Sequence, residues 1–285
     1  MKTIINKLFL LISAASLLTS CVKDAPERQE FSSAVFINAS PGTAPLSITV
    51  DTANLLSAGN LSAGLVHFGN TAYQGIQPGN RRIMFLNEAA AGRTVFADLP
   101  SENFAPGKAY TYFMYDTLIN GRAKILRLND EIAEPPAGNI NVRFVHLAKA
   151  VGAVDVTLVR GTLYGDQTLN ANRFEATDSV TIPNVSYVGD NPDINALSAF
   201  RSIRGSSSIN AVSATNFAAV PEANRNNRYI IRIKRAGTQT VIAQNVTGSL
   251  PNSNTLITGR TYTIYLSGSV KGVATDFRVF QHFQY

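Results

Sequence analysis

The groups in this 285-residue chain that could move a proton or hold a metal are three histidines, His67, His146 and His282, and nineteen acidic side chains. The histidines are far apart in sequence, and no H-E-x-x-H pattern puts two imidazoles and a glutamate on one helix. His146 closes the run Arg143-Phe144-Val145 where a similar earlier run closes in Asn38. A side chain that hydrogen-bonds the turn just after it explains both. Asp190, Asp193 and Asn195 place three oxygen side chains close together, but without the spacing or the glycine of a calcium-binding EF-hand loop. An Asn-Pro turn at Asn191-Pro192 with aspartate capping is the expected role. No Gly-x-Ser-x-Gly elbow, phosphate loop or dinucleotide fingerprint is present. The reading assigns no catalytic residue, no metal ligand and no cofactor.

The one cysteine has a different chemistry. Lys2 and Lys7 precede an apolar run from Leu8 to Leu18, and Thr19-Ser20 leads into Cys21. The run is too short to remain as a membrane-spanning helix, which needs about 20 apolar residues. It has the layout of a signal peptide over residues 1–20. Leu18-Thr19-Ser20-Cys21 resembles the lipobox of bacterial lipoproteins, which implies that the Cys21 thiol is acylated with diacylglycerol and becomes the first residue of the mature chain. Two or three acyl chains anchor stably where one holds only marginally.

Removing the first 20 residues, which carry two lysines, leaves 265 residues with 23 basic and 19 acidic groups. No disulfide is available to a chain whose one cysteine is the anchor, so ordinary apolar cores must stabilise it. The basic excess is scattered arginine, with Arg81-Arg82 and Lys234-Arg235 the adjacent pairs. Nucleic-acid binding wants a clustered stripe, so no nucleic-acid partner is expected.

The chain repeats itself. Val35-Phe36-Ile37-Asn38-Ala39 lines up with Arg143-Phe144-Val145-His146-Leu147, Gly79 and Ile83 line up with Gly205 and Ile209, and Gly107-Lys108-Ala109-Tyr110-Thr111 lines up with Gly259-Arg260-Thr261-Tyr262-Thr263. The widening offset places insertions in the second copy, where loop closure tolerates them. The expected organisation is a lipidated tether over residues 21–33, a first domain over 34–130, a Pro- and charge-rich linker over 131–139, and a second domain with insertions over 140–285.

Within each copy the segments are short, β-branched or aromatic, and bounded by Gly, Pro, Asn or Asp. The fold class read from them is all-β: two tandem antiparallel β-sandwich domains of immunoglobulin-like size, with a small barrel as the alternative. Alternation places Tyr110, Tyr112 and Met114 in the core and turns Phe113 and Tyr115 outward. Outward aromatics could form an exposed patch for a sugar or a protein.

These anchors, with Val154-Asp155-Val156, Tyr73 and Pro78-Gly79, resemble the family catalogued as domain of unknown function 4397. The resemblance implies an envelope lipoprotein of Bacteroidota-like bacteria. Cys21-Val22-Lys23-Asp24 is similar to the acidic signal that sends such lipoproteins to the outer face of the outer membrane; the periplasmic face is the alternative. Thr52, Thr117 and Ser179, each after an aspartate and before an aliphatic residue or alanine, resemble sites of O-glycosylation in such bacteria. The expectation is a non-enzymatic binding, adhesion or assembly protein held to a membrane by its N-terminal lipid, with a surface glycan or envelope protein as partner. A glycan-capturing accessory of a nutrient-uptake system is the alternative, and a glycan hydrolase with unrecognised carboxylates the more remote one.

Overall fold

A computed structural model describes residues 30–43, 45–54, 64–87, 94–119, 122–166, 171–189, 191–205, 226–244, 256–268 and 275–282. Cys21 and the signal-like segment lie outside them. The first eight strands are β1 (Ser32–Asn38), β2 (Leu46–Val50), β3 (Ala53–Asn54), β4 (Gln74–Ile76), β5 (Gly79–Asn87), β6 (Val95–Phe104), β7 (Ala109–Ile119) and β8 (Arg122–Asp130). The next eight are β9 (Asn139–His146), β10 (Val154–Asp166), β11 (Ala171–Val185), β12 (Arg201–Arg204), β13 (Asn226–Arg235), β14 (Val241–Gln244), β15 (Thr261–Ser267) and β16 (Asp276–His282). A one-turn 3-10 helix at Lys149–Val151 and a short α1 (Ile194–Ser198) complete the second set.

The two sets have the same topology. The first forms sheets of order β4-β1-β7-β8 and β3-β2-β5-β6, the second β12-β9-β15-β16 and β11-β10-β13-β14. Adding eight to each strand number converts one set into the other. Each pair of sheets is a sandwich with its own core. Phe36, Ile48, Phe85 and Tyr112 lie in the first, and Phe144, Val156, Ile233 and Ile264 in the second. The open four-stranded sheets exclude the barrel alternative. The likeness to immunoglobulin domains stops at size and layering, because β1 and β2 fall in different sheets and β1 runs parallel to β7. The strand set opens at Ser32, two residues ahead of the expected start, and the stretch between β8 and β9 covers 131–138.

Register corrects one anchor. Val50 pairs with Ile83, and its equivalent Leu158 pairs with Ile231, so Ile83 corresponds to Ile231 and not to Ile209. Ile209 lies outside the described residues. The offset between equivalents is 108 at Phe36 and Phe144, 127 at Gln74 and Arg201, 148 at Ile83 and Ile231, and 152 at Tyr112 and Ile264. Most of the added residues of the second copy therefore fall between β10 and β12 and between β12 and β13, with four more between Ile231 and β15. Part of the first addition lengthens β10. It runs eight residues past Leu158, about 26 Å at the usual strand rise, and stays paired with β11 throughout and with β13 as far as Leu163.

Gly79 and Gly205, matched by sequence, serve different ends. Gly79 has a φ of +104°, a conformation open to glycine. Gly205 needs no special φ but lies against the backbone of Thr258, where an added Cβ would come within 2.8 Å of Cα. Gly205→Ala is expected to lower the stability measured by urea unfolding by about 1–3 kcal/mol through overpacking. Gly75→Ala, with open space around the new methyl and no strained φ, should stay within about 0.5 kcal/mol of wild type.

Candidate functional site

The outward faces of β1, β7 and β8 meet those of β9, β15 and β16, and the two sandwiches dock along this seam. Val35, Ile37, Phe113, Tyr115, Leu126 and Leu128 from one side pack with Val145, Leu147, Tyr265 and Phe280 from the other. Phe113 and Tyr265 stand edge to face with ring centroids 5.3 Å apart, a geometry that adds to their burial. The alternation read from sequence therefore points Phe113 and Tyr115 away from their own core, but not into solvent. They are 0% and 3% exposed, so no exposed aromatic patch forms at these residues. The signal for this was present. Val35-Phe36-Ile37, Tyr112-Phe113-Met114 and Ile264-Tyr265-Leu266 are apolar at consecutive positions, as expected of strands covered on both faces.

At one end of the seam lies a polar ring built from both domains. Arg143 Nη2 donates to Asp130 Oδ1 at 2.6 Å, and both side chains are essentially without solvent contact. Arg143 Nε donates to Thr263 Oγ1 at 2.8 Å, and Thr263 Oγ1 lies 2.6 Å from His282 Nε2. His282 Nδ1 is 2.5 Å from Tyr73 Oη, which donates to Asp130 Oδ2 at 2.8 Å. Thr111 Oγ1 also donates to Asp130 Oδ2, at 2.7 Å, and accepts from Arg143 Nη2 at 3.1 Å. The Phe200 ring covers the guanidinium at 4.6 Å and stands edge-on to His282. Burial raises the Tyr73 phenol, helped by the Asp130 charge, and keeps it protonated.

A second contact region crosses the seam at the segment ahead of β4. His67 stacks on Phe68 at 4.0 Å, and its Nε2 lies 3.1 Å from Ser267 Oγ, which donates to the Ala39 carbonyl. Phe68 has a φ of +66°, strained for a bulky residue. Its backbone is fixed by its N–H donating to Asn38 O at 2.7 Å and by Tyr265 Oη donating to its carbonyl at 3.3 Å. A third region seats Asp116, 3.0 Å from Lys124 Nζ and accepting from Tyr187 Oη at 3.0 Å.

The remaining sequence candidates are separately placed. His146 Nδ1 accepts from Ala148 N at 3.2 Å, as Asn38 Oδ1 accepts from Ser40 N at 3.1 Å, the same two-residue span in each copy. His146 Nε2 therefore carries the proton and donates to Gly152 O at 2.6 Å, and burial lowers the imidazole pKa. Asp193 caps α1 by accepting from Ala196 N at 3.1 Å, and Asp190 lies outside the described residues. Thr52 is exposed in the turn after β2, Ser179 is exposed on the edge strand β11, and Thr117 falls in β7. The structure does not bring these three together. Asp155 of the Val154-Asp155-Val156 motif accepts from Asn184 N and Gly237 N, which ties the end of β11 to the turn after β13 and holds its carboxyl below the usual range.

Among the described residues no three His, Cys, Asp or Glu side chains are grouped to hold a metal ion. What the ring can do chemically is set by its closure. Each donor already has an acceptor, and the charges of Asp130 and Arg143 face each other, away from water.

Residues 32–157 match the family model described as domain of unknown function DUF4397. The match spans the first sandwich and continues through β9 into β10, and it includes the Phe36, Tyr73 and Val154-Asp155-Val156 segments on which the sequence resemblance rests. No curated protein matches the chain. A solved structure from Bacteroides uniformis, provisionally named a cell adhesion protein, covers 89% of this chain and 98% of its own at 8% identity and a TM-score of 0.19.

Removing one member of the buried pair leaves the other charge stranded. Asp130→Ala is expected to lower stability by about 3–5 kcal/mol. Asp130→Asn keeps an acceptor for Arg143, and Tyr73 and Thr111 can turn to accept from its amide, so it should cost clearly less. Chemical unfolding of both variants checks the order.

Proposed function

We propose that this is a lipid-anchored envelope protein with a non-enzymatic role in binding, adhesion or assembly, presenting two docked β-sandwiches as one body. The observation that carries the reading is the seam. It takes up His67 and His282, the Asp130–Arg143 pair and the aromatics that sequence turned outward, while His146 braces its own turn. The groups most able to do chemistry are thereby held in closed contacts.

The surface left for recognition is where the copies differ. Lengthened β10 and β11, paired side by side and with β13, extend the second domain beyond the outline of the first. A strand platform of this kind can take a partner along its edge or its face. Cys21 would tie the body to a membrane, and the residues between it and β1 would set its distance from the bilayer. The glycan-capturing alternative was motivated by outward aromatics, and the burial of Phe113 and Tyr115 removes that motive.

Protease treatment of intact cells, comparing wild type with Cys21→Ala, tests the placement. The expected result is loss of the wild-type domains from treated cells and release of the variant from the membrane fraction. Retention of the variant in membranes would contradict the anchor. Protection of wild type until lysis would move the partner search to the periplasm. Turnover of a glycan by the purified protein would contradict the non-enzymatic role.

A further inference from the structure

We propose that the polar ring is an acid-responsive clasp, which keeps the two domains docked while His282 is neutral and loosens the seam when His282 takes up a proton. The geometry fixes the tautomer by proton bookkeeping. Arg143 Nε donates to Thr263 Oγ1, so the Thr263 hydroxyl proton is free to go to His282 Nε2, 2.6 Å away. Tyr73 Oη gives its single proton to Asp130 Oδ2, so its lone pair must accept from His282 Nδ1–H. The ring then runs from Arg143 through Thr263, His282 and Tyr73 to Asp130, and closes where Arg143 Nη2 meets Asp130 Oδ1. Each proton that passes around the ring then has an acceptor.

A second proton on His282 breaks this sequence at Nε2. Thr263 Oγ1 would face N–H groups from both Arg143 and His282, and its own hydroxyl proton would lose its acceptor inside the seam. The charge balance fails as well. His282 is faced by Tyr73 from the segment ahead of β4, Asp130 from β8, Arg143 from β9 and Thr263 from β15, with the Phe200 and Phe280 rings edge-on. One carboxylate and one guanidinium already cancel there, so an imidazolium adds an unmatched charge to a site without solvent contact. The other histidine that crosses the seam, His67, works in the same direction. It lies against Ser267, near Arg278, which stacks on Phe68, and near Asp276. Burial and then Arg278 hold its pKa down, against a smaller pull from Asp276.

Burial, reinforced by Arg143 and opposed by Asp130, pulls His282 down to about 3 in the docked protein. An exposed imidazole titrates near 6.5. The undocked form therefore binds the extra proton between those limits. Docking is at full strength above pH 6.5 and weakens as pH falls through the window, by up to about tenfold in the docking equilibrium per pH unit for this one group.

The test uses the full chain in detergent with Lys108→Cys and Thr240→Cys, one exposed site in each domain, in a Cys21→Ser background so that the two fluorophores mark the only thiols. The expected result is a constant separation from pH 8 to about 6.5 and a rising one toward pH 4, with unchanged strand content by circular dichroism. His282→Gln, which cannot titrate at this position, should remove most of the response and shift the midpoint of the remainder, which His67 carries. A separation that holds to pH 4, or a His282→Gln response with the wild-type midpoint, would overturn the clasp. Should His282→Gln fail to fold, the wild-type His282 ring resonance decides. Titration near pH 6.5 without a change in separation overturns the proposal, and a midpoint well below 6.5 that moves with the separation supports it.

Discussion

The contact between Asp130 and Arg143 is the constraint from which the rest of the arrangement follows. A guanidinium and a carboxylate buried in one seam are costly to bring out of water, and their attraction offsets that cost only where both are fully hydrogen-bonded. Thr111, Thr263, Tyr73, the Asn129 carbonyl and His282 are placed to meet this condition. They come from both domains, so the pair is satisfied only while the domains are docked. The apolar contacts around Phe113 and Tyr265 supply attraction without direction, and the ring specifies the alignment.

The seam also shows how a repeat became one object. Phe113 and Tyr265 occupy equivalent strand positions, as do Asp130 and His282, and each pair meets across the interface. Contact between equivalent positions is the mark of a two-fold arrangement. Two identical copies would set carboxylate against carboxylate where Asp130 meets His282. In the second copy histidine stands at this position, and Arg143 stands where the first copy has Val35, so charge complementarity replaces repulsion. The two halves are fitted to each other rather than to themselves.

Much of this fold was legible in the chain. Alternation in Tyr110-Thr111-Tyr112-Phe113-Met114 assigns the core face correctly, the Phe36 and Phe144 segments mark equivalent strands, and the shared turn role of Asn38 and His146 follows from their matching places. What failed had physical reasons. Gly205 imitates Gly79 in spacing, yet one answers to close packing on Thr258 and the other to a positive φ. Spacing alone does not separate these causes. Phe113 and Tyr115 point outward from their own sandwich, and periodicity within one domain carries no information about a second domain lying over that face. The ring was out of reach for the same reason, since Tyr73 and His282 are 209 residues apart in sequence.

The most direct test of the account is calorimetric unfolding of the protein at neutral pH. If the seam makes the two sandwiches one cooperative body, a single transition is expected, with the calorimetric enthalpy equal to the van't Hoff enthalpy. Two resolved transitions, each with the enthalpy of about one sandwich, would contradict it and leave the domains as independent units on a short linker.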